Sequence, residues 1–454
     1  MNFVRRIHRS IKHERRHVRL DWVVALTLLV LLVLSCMMVY SASMIGNKYG
    51  TFTSGIPVSE TYFLQRQAMW VVLAYIAFLV FSVAIPFEVF KNKSFLMNGY
   101  LVIAFLLFVP LFMPSINGAR SWIRIGSFSF QPSTLAQLFI IMYMAYILET
   151  RKVKLRQICT SSELLKMFGI PLGLVTIIAL QNDTGMILIT LSVMGIMTLC
   201  SNMHSQNIKK ILSLAIVAGV VVLMLFMLKS SLFSSGTSYR TNRLKVFLNP
   251  FSEDLAAAAD QVINSYVAFG NGGLFGRGLG NSIQKLGYLP EAHTDFAFAV
   301  WAQEMGFLGA VFVVILVAAF TYYGFRIANK ARDEFGKWLA MGITLLISGQ
   351  ALFNIAMVCG IMPVTGVPLP FVSYGGSSLL MNFMAIGLLA SIGRRNVEGV
   401  KQVGTVEDLP SLREETQSRF KPAAPKTPKK TEMPGPFRPR ETKKPTRRRP
   451  RSER

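Results

Sequence analysis

YLPEAHTDFAFAVWAQEMGFLGAVFVVILVAAFTYY, residues 288–323, decides how this chain is read. From Phe296 onward the stretch is apolar enough and long enough to cross a bilayer as a helix. Immediately before that run stand Glu291, His293 and Asp295. Ionised side chains are costly to remove from water unless they are paired or hydrogen-bonded. Their place at the mouth of a greasy segment therefore calls for a reason.

Comparable apolar runs recur on both sides of this one. Ten are expected to span: 21–42, 68–86, 95–113, 131–149, 167–182, 184–200, 211–234, 296–323, 337–361 and 376–393. The fifth and sixth are short and separated only by QNDT (181–184), so they read either as a tight hairpin or as one re-entrant pair. The first is too long for a signal-peptide core, although YSAS (40–43) imitates a cleavage site. Composition agrees: 52% of the 454 residues are hydrophobic and 16% charged, against about 25% charged in soluble domains. Mean hydropathy is +0.44. The alternation of an outer-membrane barrel is absent. The expected fold class is an all-α polytopic membrane protein of about ten transmembrane helices, with a large extracellular loop before the eighth.

The net charge of +25 invites a nucleic-acid reading, and its distribution argues against one. Residues 1–20 carry +6 and residues 419–454 carry +11. Further cations lie in the loops 150–166 and 324–337, including Arg151, Lys152, Arg326 and Lys330. With ten spans, both tails and these loops fall on one side, which the positive-inside rule makes the cytoplasm. Attraction to anionic membrane lipids accounts for such charge, and no nucleic-acid partner is expected. The four cysteines show neither a disulfide framework nor metal-ligand spacing. Three regions result: a basic cytoplasmic arm (1–20), a membrane domain (21–395) and a basic tail (396–454). The tail is rich in Pro, Lys and Arg from 419 and is expected to be disordered.

The outward side carries the chemical candidates. Its largest loop, 235–295, is not low in complexity. LAAAADQVINSYVAF (255–269) reads as an amphipathic helix, and GNGGLFGRGLGN (270–281) follows it. Those glycines do not match GxGxxG and are read as turns and close-packing positions. Outward cations are Arg66, Arg120, Arg124, Arg240, Arg243, Lys245 and Lys285. The positive-inside rule disfavours them there, and a bound anion would account for them, since Arg pairs bidentately with phosphate oxygens. Pairing with outward carboxylates or lipid headgroups is the alternative. Asp295 likewise admits two readings. Partial desolvation would favour its neutral form and make it a better base, or it caps the following helix. His293 admits capping, orienting a partner or binding substrate. A metal on Glu291, His293 and Asp295 has only weak support from their alternating spacing. No P-loop occurs, and an outward site has no ATP, so synthesis there needs a pre-activated substrate. VPLPFVSYGGSS (367–378) reads as an irregular entrance lined by protein or as a plain loop before the tenth span.

These segments resemble the SEDS family (shape, elongation, division and sporulation), the FtsW and RodA glycan polymerases. The likeness runs through LDW (20–22), MVYSAS (38–43), RQ (66–67), NGARSWIRIG (117–126), FQPS (130–133), YLPEAHTDF, PLPFVSYGGSS (368–378) and GRR (393–395). It covers roughly residues 20–395, and GLGNSIQKLGYLPEAHTDF looks like the FtsW branch rather than RodA. The resemblance implies polymerisation of lipid II at the outer face of the cytoplasmic membrane, in cell division, with both termini cytoplasmic. It puts the catalytic base on Asp295. Arg66, Arg120, Asp183, Arg240, Arg243, Lys285, Glu291, His293 and Ser373 are the expected substrate-binding set.

The implied partners are lipid II and the nascent glycan, a class B penicillin-binding protein, other division proteins and membrane lipids. No fixed cofactor or metal site is implied, and a divalent cation is left open. A lipid II transporter and a non-catalytic division scaffold are the alternatives. Two departures stand out. QPS usually continues with Glu and, three residues later, Lys, where this chain has Thr134 and Gln137. The QPDxGT pattern reads QNDTGM (181–186), with Asp183 retained.

Overall fold

The computed structural model describes residues 22–52, 55–116, 118–125, 128–213, 239–252 and 256–404. The helices that matter here are α1 (Trp22–Lys48), α2 (Tyr62–Leu79), α3 (Lys93–Phe108), α4 (Pro132–Thr150), α5 (Ser161–Leu180), α6 (Thr184–Cys200), α7 (Tyr239–Leu248), α8 (Ala256–Gly272), α9 (Ala297–Asn329), α10 (Glu334–Val358) and α11 (Gly376–Gly404). Among the described residues eight helices are long and apolar enough to cross a membrane, and α6 is a shorter apolar helix. The chain is a multi-pass helical membrane protein. The expected seventh span (211–234) lies almost wholly outside the described residues, as do the arm 1–20 and most of the tail 396–454.

The fifth and sixth spans are two separate helices, α5 and α6, joined at Gln181–Asp183. Seventeen residues of α6 make about 26 Å of helix, close to the hydrocarbon thickness. One small departure from all-α structure is an antiparallel hairpin, β1 (Ile123–Ile125) with β2 (Phe128–Phe130), in which Arg124 faces Ser129. The amphipathic segment 255–269 becomes α8.

Local sequence sets the helix ends. Asn92 caps α3 by accepting from the Ser94 N–H. Thr160 and Glu163 form a reciprocal capping box at α5, satisfying donors that the first turn leaves without partners. Pro132 opens α4, where its missing N–H costs nothing. Asp183 caps α6 and Asp333 caps α10. The α4, α11 and α10 helices form the centre: 78%, 67% and 61% of their spans are buried, against 22% for α3 and 11% for α9. An apolar crevice of about 760 Å3 runs among α3, α4, α11 and the segment after α2, lined by Phe81, Phe95, Val102, Leu138 and Met384. At the end of the bundle opposite Asp295, Lys91 pairs with Glu149, Arg395 with Glu88, and Lys152 with Glu334 at 2.6 Å.

The feature that shapes the Asp295 end is a break within α9. Gly306 has φ 69 and ψ −170, which no helix allows. An unbroken helix would pair the Gln303 carbonyl with the Phe307 N–H and the Glu304 carbonyl with the Leu308 N–H. Here residues 273–278 enter between them. Gln303 O accepts from Arg277 N at 3.0 Å and Glu304 O from Gly278 N at 2.9 Å. Phe307 N donates to Gly273 O at 2.8 Å and Leu308 N to Leu274 O at 3.2 Å. Two helical bonds are thus replaced by four bonds to the glycine-rich segment. The close approach explains the glycines: a Cβ on Gly276 would lie 2.2 Å from Glu304 O, and one on Gly306 would lie 2.3 Å from Gly276 N.

Gly276→Ala therefore meets both a left-handed φ of +81 and a backbone clash. Gly280→Ala, with φ +82 and nothing within 4 Å, meets only the first, about 1–2 kcal/mol. Thermal unfolding in detergent is expected to show a larger loss for Gly276→Ala by at least about 1 kcal/mol. Equal losses would mean that the approach to Glu304 carries no energy.

Candidate active site

Asp295 sits two residues before α9, at the start of the nine-residue half-helix that ends at the break. Its backbone is fixed by Asn354 of α10, whose Nδ2 donates to Asp295 O at 2.7 Å and to Val367 O at 2.7 Å. One amide thereby ties the aspartate's segment to the 362–375 loop. Gly366, with φ +75, passes so close that a Cβ there would lie 3.6 Å from Asp295 Oδ2. The side chain remains partly open.

The electrostatics around Asp295 favour its neutral form. Its pKa is pushed up to about 7, first by burial, then by the charges of Glu291 and Asp183, with Arg243 opposing them. A carboxyl with that affinity for protons is divided between both forms near neutral pH, the condition under which a general base works best. Of the two sequence readings of Asp295, the cap loses ground: α9 is preceded by Phe296 and shows no side-chain cap.

Around it the expected residues fall into three groups. Arg243 of α7 reaches across to donate from Nη1 to Val364 O at 3.1 Å. Glu291 holds a left-handed φ of 55, and its Oε2 accepts from Thr294 Oγ1 at 2.7 Å. Asp183 caps α6 and accepts from Gln131 Nε2 at 2.7 Å, while Gln131 N donates to Ser377 Oγ at 3.3 Å. Gln131, Asp183 and Ser377 stand at or next to the N-termini of α4, α6 and α11, so three positive helix ends meet there.

A second group surrounds His293, which is only 5% exposed. Its ring lies 4.5 Å from Phe52 and from Phe63 and 5.8 Å from Tyr374, centre to centre. Burial pushes its pKa down to about 4, with Glu291 partly opposing, so it is a neutral imidazole in an aromatic box. Its carbonyl accepts from Tyr374 N at 2.8 Å. Arg66 stacks over Tyr62 at 4.4 Å, and its charge acts on Tyr374. Arg120 is exposed; its N–H donates to Gln181 O at 2.8 Å and its guanidinium to Leu111 O at 3.3 Å.

Of the third group, Lys285 and Ser373 are engaged elsewhere. Lys285 is 1% exposed, and its Nζ is shared among Glu304, Ser41 and the Gly280 carbonyl. Ser373 is buried and accepts from Leu369 N at 2.9 Å, holding its own turn. The side chain of Arg240 lies outside the described residues, although its backbone is in the first turn of α7. Among the described residues no three His, Cys, Asp or Glu side chains gather as a metal site. Thr134 and Gln137 are buried in a neutral network. Thr134 Oγ1 donates to Gln131 O at 2.7 Å, Gln137 Nε2 to Thr190 Oγ1 at 3.1 Å, and Gln350 Nε2 to Gln137 Oε1 at 3.3 Å. Exchanging two charges together for hydrogen-bonded neutral groups leaves no buried charge alone.

Fold and site together define a multi-pass membrane protein with a half-buried, proton-retaining carboxyl beside an arginine and a broken helix. Comparison with known proteins supplies the family. The FtsW/RodA/SpoVE family, described as cell cycle protein, matches residues 21–398, and this chain belongs to it. A probable peptidoglycan glycosyltransferase FtsW of Geobacter sp. (strain M18) is 36% identical over 385 residues, 84% of this chain and 98% of that relative. The protein of the same description from Bacillus subtilis (strain 168) is 36% identical, over 81% of this chain and 89% of its own. Stage V sporulation protein E of Bacillus subtilis is 34% identical, over 82% and 97%. Among solved structures, a chain of a peptidoglycan synthase complex that coordinates polymerization and crosslinking shares the fold with a TM-score of 0.59. It is 23% identical, and the match covers 84% of this chain and 99% of that one. The rod shape determining protein RodA of Thermus thermophilus gives a TM-score of 0.53 at 23% identity, over 82% and 96%.

Sequence reasoning did not single out Asn354, Gln131, Gly366 or Glu304. Glu304 carried a usable signal, being a carboxylate within an apolar span. Asn354 and Gln131 look like ordinary polar residues until the fold brings carbonyls to them. The raised pKa of Asp295 has a consequence for stability. Between about 3.8 and 7 the folded protein holds a proton that the unfolded chain has released, so stability falls as pH rises through that window. Asp295→Asn removes this loss. Thermal unfolding is expected to find the variant more stable than wild type at pH 8, with the difference shrinking toward pH 4; a pH-independent difference would contradict the assignment.

Proposed function

We propose that this chain is a peptidoglycan glycosyltransferase that polymerises lipid II, working in cell division at the outer face of the cytoplasmic membrane. The observation that carries the reading is Asp295, a carboxyl whose pKa is pushed to about 7, with Arg243 acting on it. The names of the FtsW relatives support the activity. The positive-inside rule supports the orientation: the basic tails and the loops 150–166 and 324–337 lie inside, Asp295 outside.

In this mechanism Asp295 takes the proton from the 4-hydroxyl of the incoming GlcNAc. That oxygen attacks the anomeric carbon of the growing chain and forms the new glycosidic bond. The bond from that carbon to the undecaprenyl pyrophosphate breaks, and the pyrophosphate leaves with the electron pair. Arg243, Arg66, Arg120 and Arg240 are the cations proposed to bind the pyrophosphates, aided by the helix ends at Gln131, Asp183 and Ser377. Glu291 and His293 shape the site. The apolar crevice lined by Phe81, Phe95, Val102, Leu138 and Met384 suits an isoprenoid tail by its chemistry. A class B penicillin-binding protein is the proposed partner, supported by the shared fold with a chain from a synthase complex.

The deciding experiment gives purified protein, alone and with its transpeptidase, labelled lipid II and reads glycan length on a gel. Asp295→Asn is expected to lose glycan synthesis by roughly 10²–10⁴-fold while still binding its partner. Equal product from both proteins would remove Asp295 as the base, and no product from wild type, alone or with its partner, would return the chain to the transporter or scaffold readings.

A further inference from the structure

The half-helix that follows Asp295 is short and is not continuous with a longer helix at either end. Nine residues, Ala297–Met305, separate Phe296 from the break at Gly306, about 13 Å of helix. Because the break interrupts the helical hydrogen bonds, the long span beyond it does not fix the half-helix's direction through continuous backbone. Ties to other elements must do so. At the Asp295 end the tie is Asn354, described above. At the break end, Trp301 Nε1 donates to Gly309 O at 2.8 Å, and Gln303 Oε1 accepts from Ser282 Oγ and from Gln284 N at 3.3 Å. Those bonds reach only the span itself and the loop beside it.

One cluster at the break end reaches a different span. Glu304 Oε1 accepts from Ser41 Oγ of α1 at 2.8 Å and faces Lys285 Nζ at 3.3 Å. Lys285 Nζ also meets Ser41 Oγ at 3.2 Å and donates to the Gly280 carbonyl. Glu304 is 0% and Lys285 1% exposed. The first membrane helix, the glycine-rich loop and the half-helix are therefore tied at one point.

Stability does not explain this cluster. Replacing a buried ion pair by apolar side chains of similar volume is often neutral or stabilising, because both charges lose their hydration. The pair is also incompletely satisfied: among the described residues Glu304 Oε2 has no hydrogen-bond partner. What it provides is a fixed meeting place, since an apolar trio has no directional preference and this one has three.

We infer that Lys285, Glu304 and Ser41 form a strut that sets the direction of the half-helix and so positions Asp295. The inference rests on the reading of Asp295 as the base. It gives Lys285 a positioning role in place of contact with phosphate. Because the strut acts through another residue, its loss should slow the chemical step and leave substrate capture nearly intact. A misplacement of about 1 Å can cost on the order of 10²-fold in rate.

The test uses the full chain with its partner and labelled lipid II. Two variants are compared with wild type: Lys285→Met with Glu304→Leu together, so that no charge is left alone, and the milder Ser41→Ala. Each is assayed for kcat, KM and thermal unfolding, with Asp295→Asn in parallel. The double variant is expected to keep or raise its unfolding temperature and to keep KM within about twofold. Its kcat is expected to fall roughly ten- to a hundredfold. Ser41→Ala is expected to lose kcat severalfold with the same KM, which keeps the test decisive if the double variant misfolds. Wild-type kcat in a folded double variant or, where the double misfolds, in Ser41→Ala, beside an inactive Asp295→Asn, overturns the strut alone. A rise in KM with kcat preserved also overturns it and restores Lys285 as a phosphate contact. Wild-type activity in Asp295→Asn overturns the base, and the strut with it.

Discussion

Backbone N–H and C=O groups at membrane depth must find partners within the protein, because lipid offers none. The break at Gly306 meets that demand through residues 273–278, and the rest of the Asp295 end depends on it. Without the break, Ala297–Asn329 would be one rigid rod of about 50 Å, with no opening for residues 273–278. With the break, a short half-helix turns separately, and the large loop is held down because its glycines complete the interrupted ladder. The glycines are thus required by approach, with Gly276 and Gly306 meeting backbone where any Cβ would collide.

That arrangement explains how one carboxyl acquires its character. Burial, Glu291 and Asp183 all push Asp295 toward its neutral form, and Arg243 pulls it back. These groups come from distant stretches: Asp183 from the α5–α6 junction, Arg243 from α7, Gly366 from the loop before α11. His293, two residues away, is pushed in the opposite direction and kept neutral by the same burial. The environment therefore assigns one titrating group to the site and withdraws its neighbour into an aromatic box.

Much of this was legible in the sequence, and the reasons are physical. Apolar runs of bilayer length report membrane helices by themselves, which is why nine expected spans coincide with helices. The FtsW-like motifs pointed to Asp295, and the cations Arg66, Arg120 and Arg243 do lie at its end of the bundle. What stayed hidden was the pairing between elements. Lys285 reads as an outward cation in a loop, and only the fold buries it against Glu304. Ser373 is expected to bind substrate, and only the turn shows its oxygen accepting from Leu369 N. Asn354 is one amide in an apolar helix until Asp295 and Val367 bring their carbonyls to it.

The central claim is that this environment makes Asp295 a base for neutral pH. The pH dependence of kcat/KM for lipid II polymerisation tests it most directly, because that ratio reports the free enzyme's ionisations. The account predicts activity rising with pH through a midpoint near 7, and a midpoint moved upward in Arg243→Gln, where the opposing cation is gone. A midpoint near 4 in wild type, or one that Arg243→Gln leaves unmoved, would contradict it.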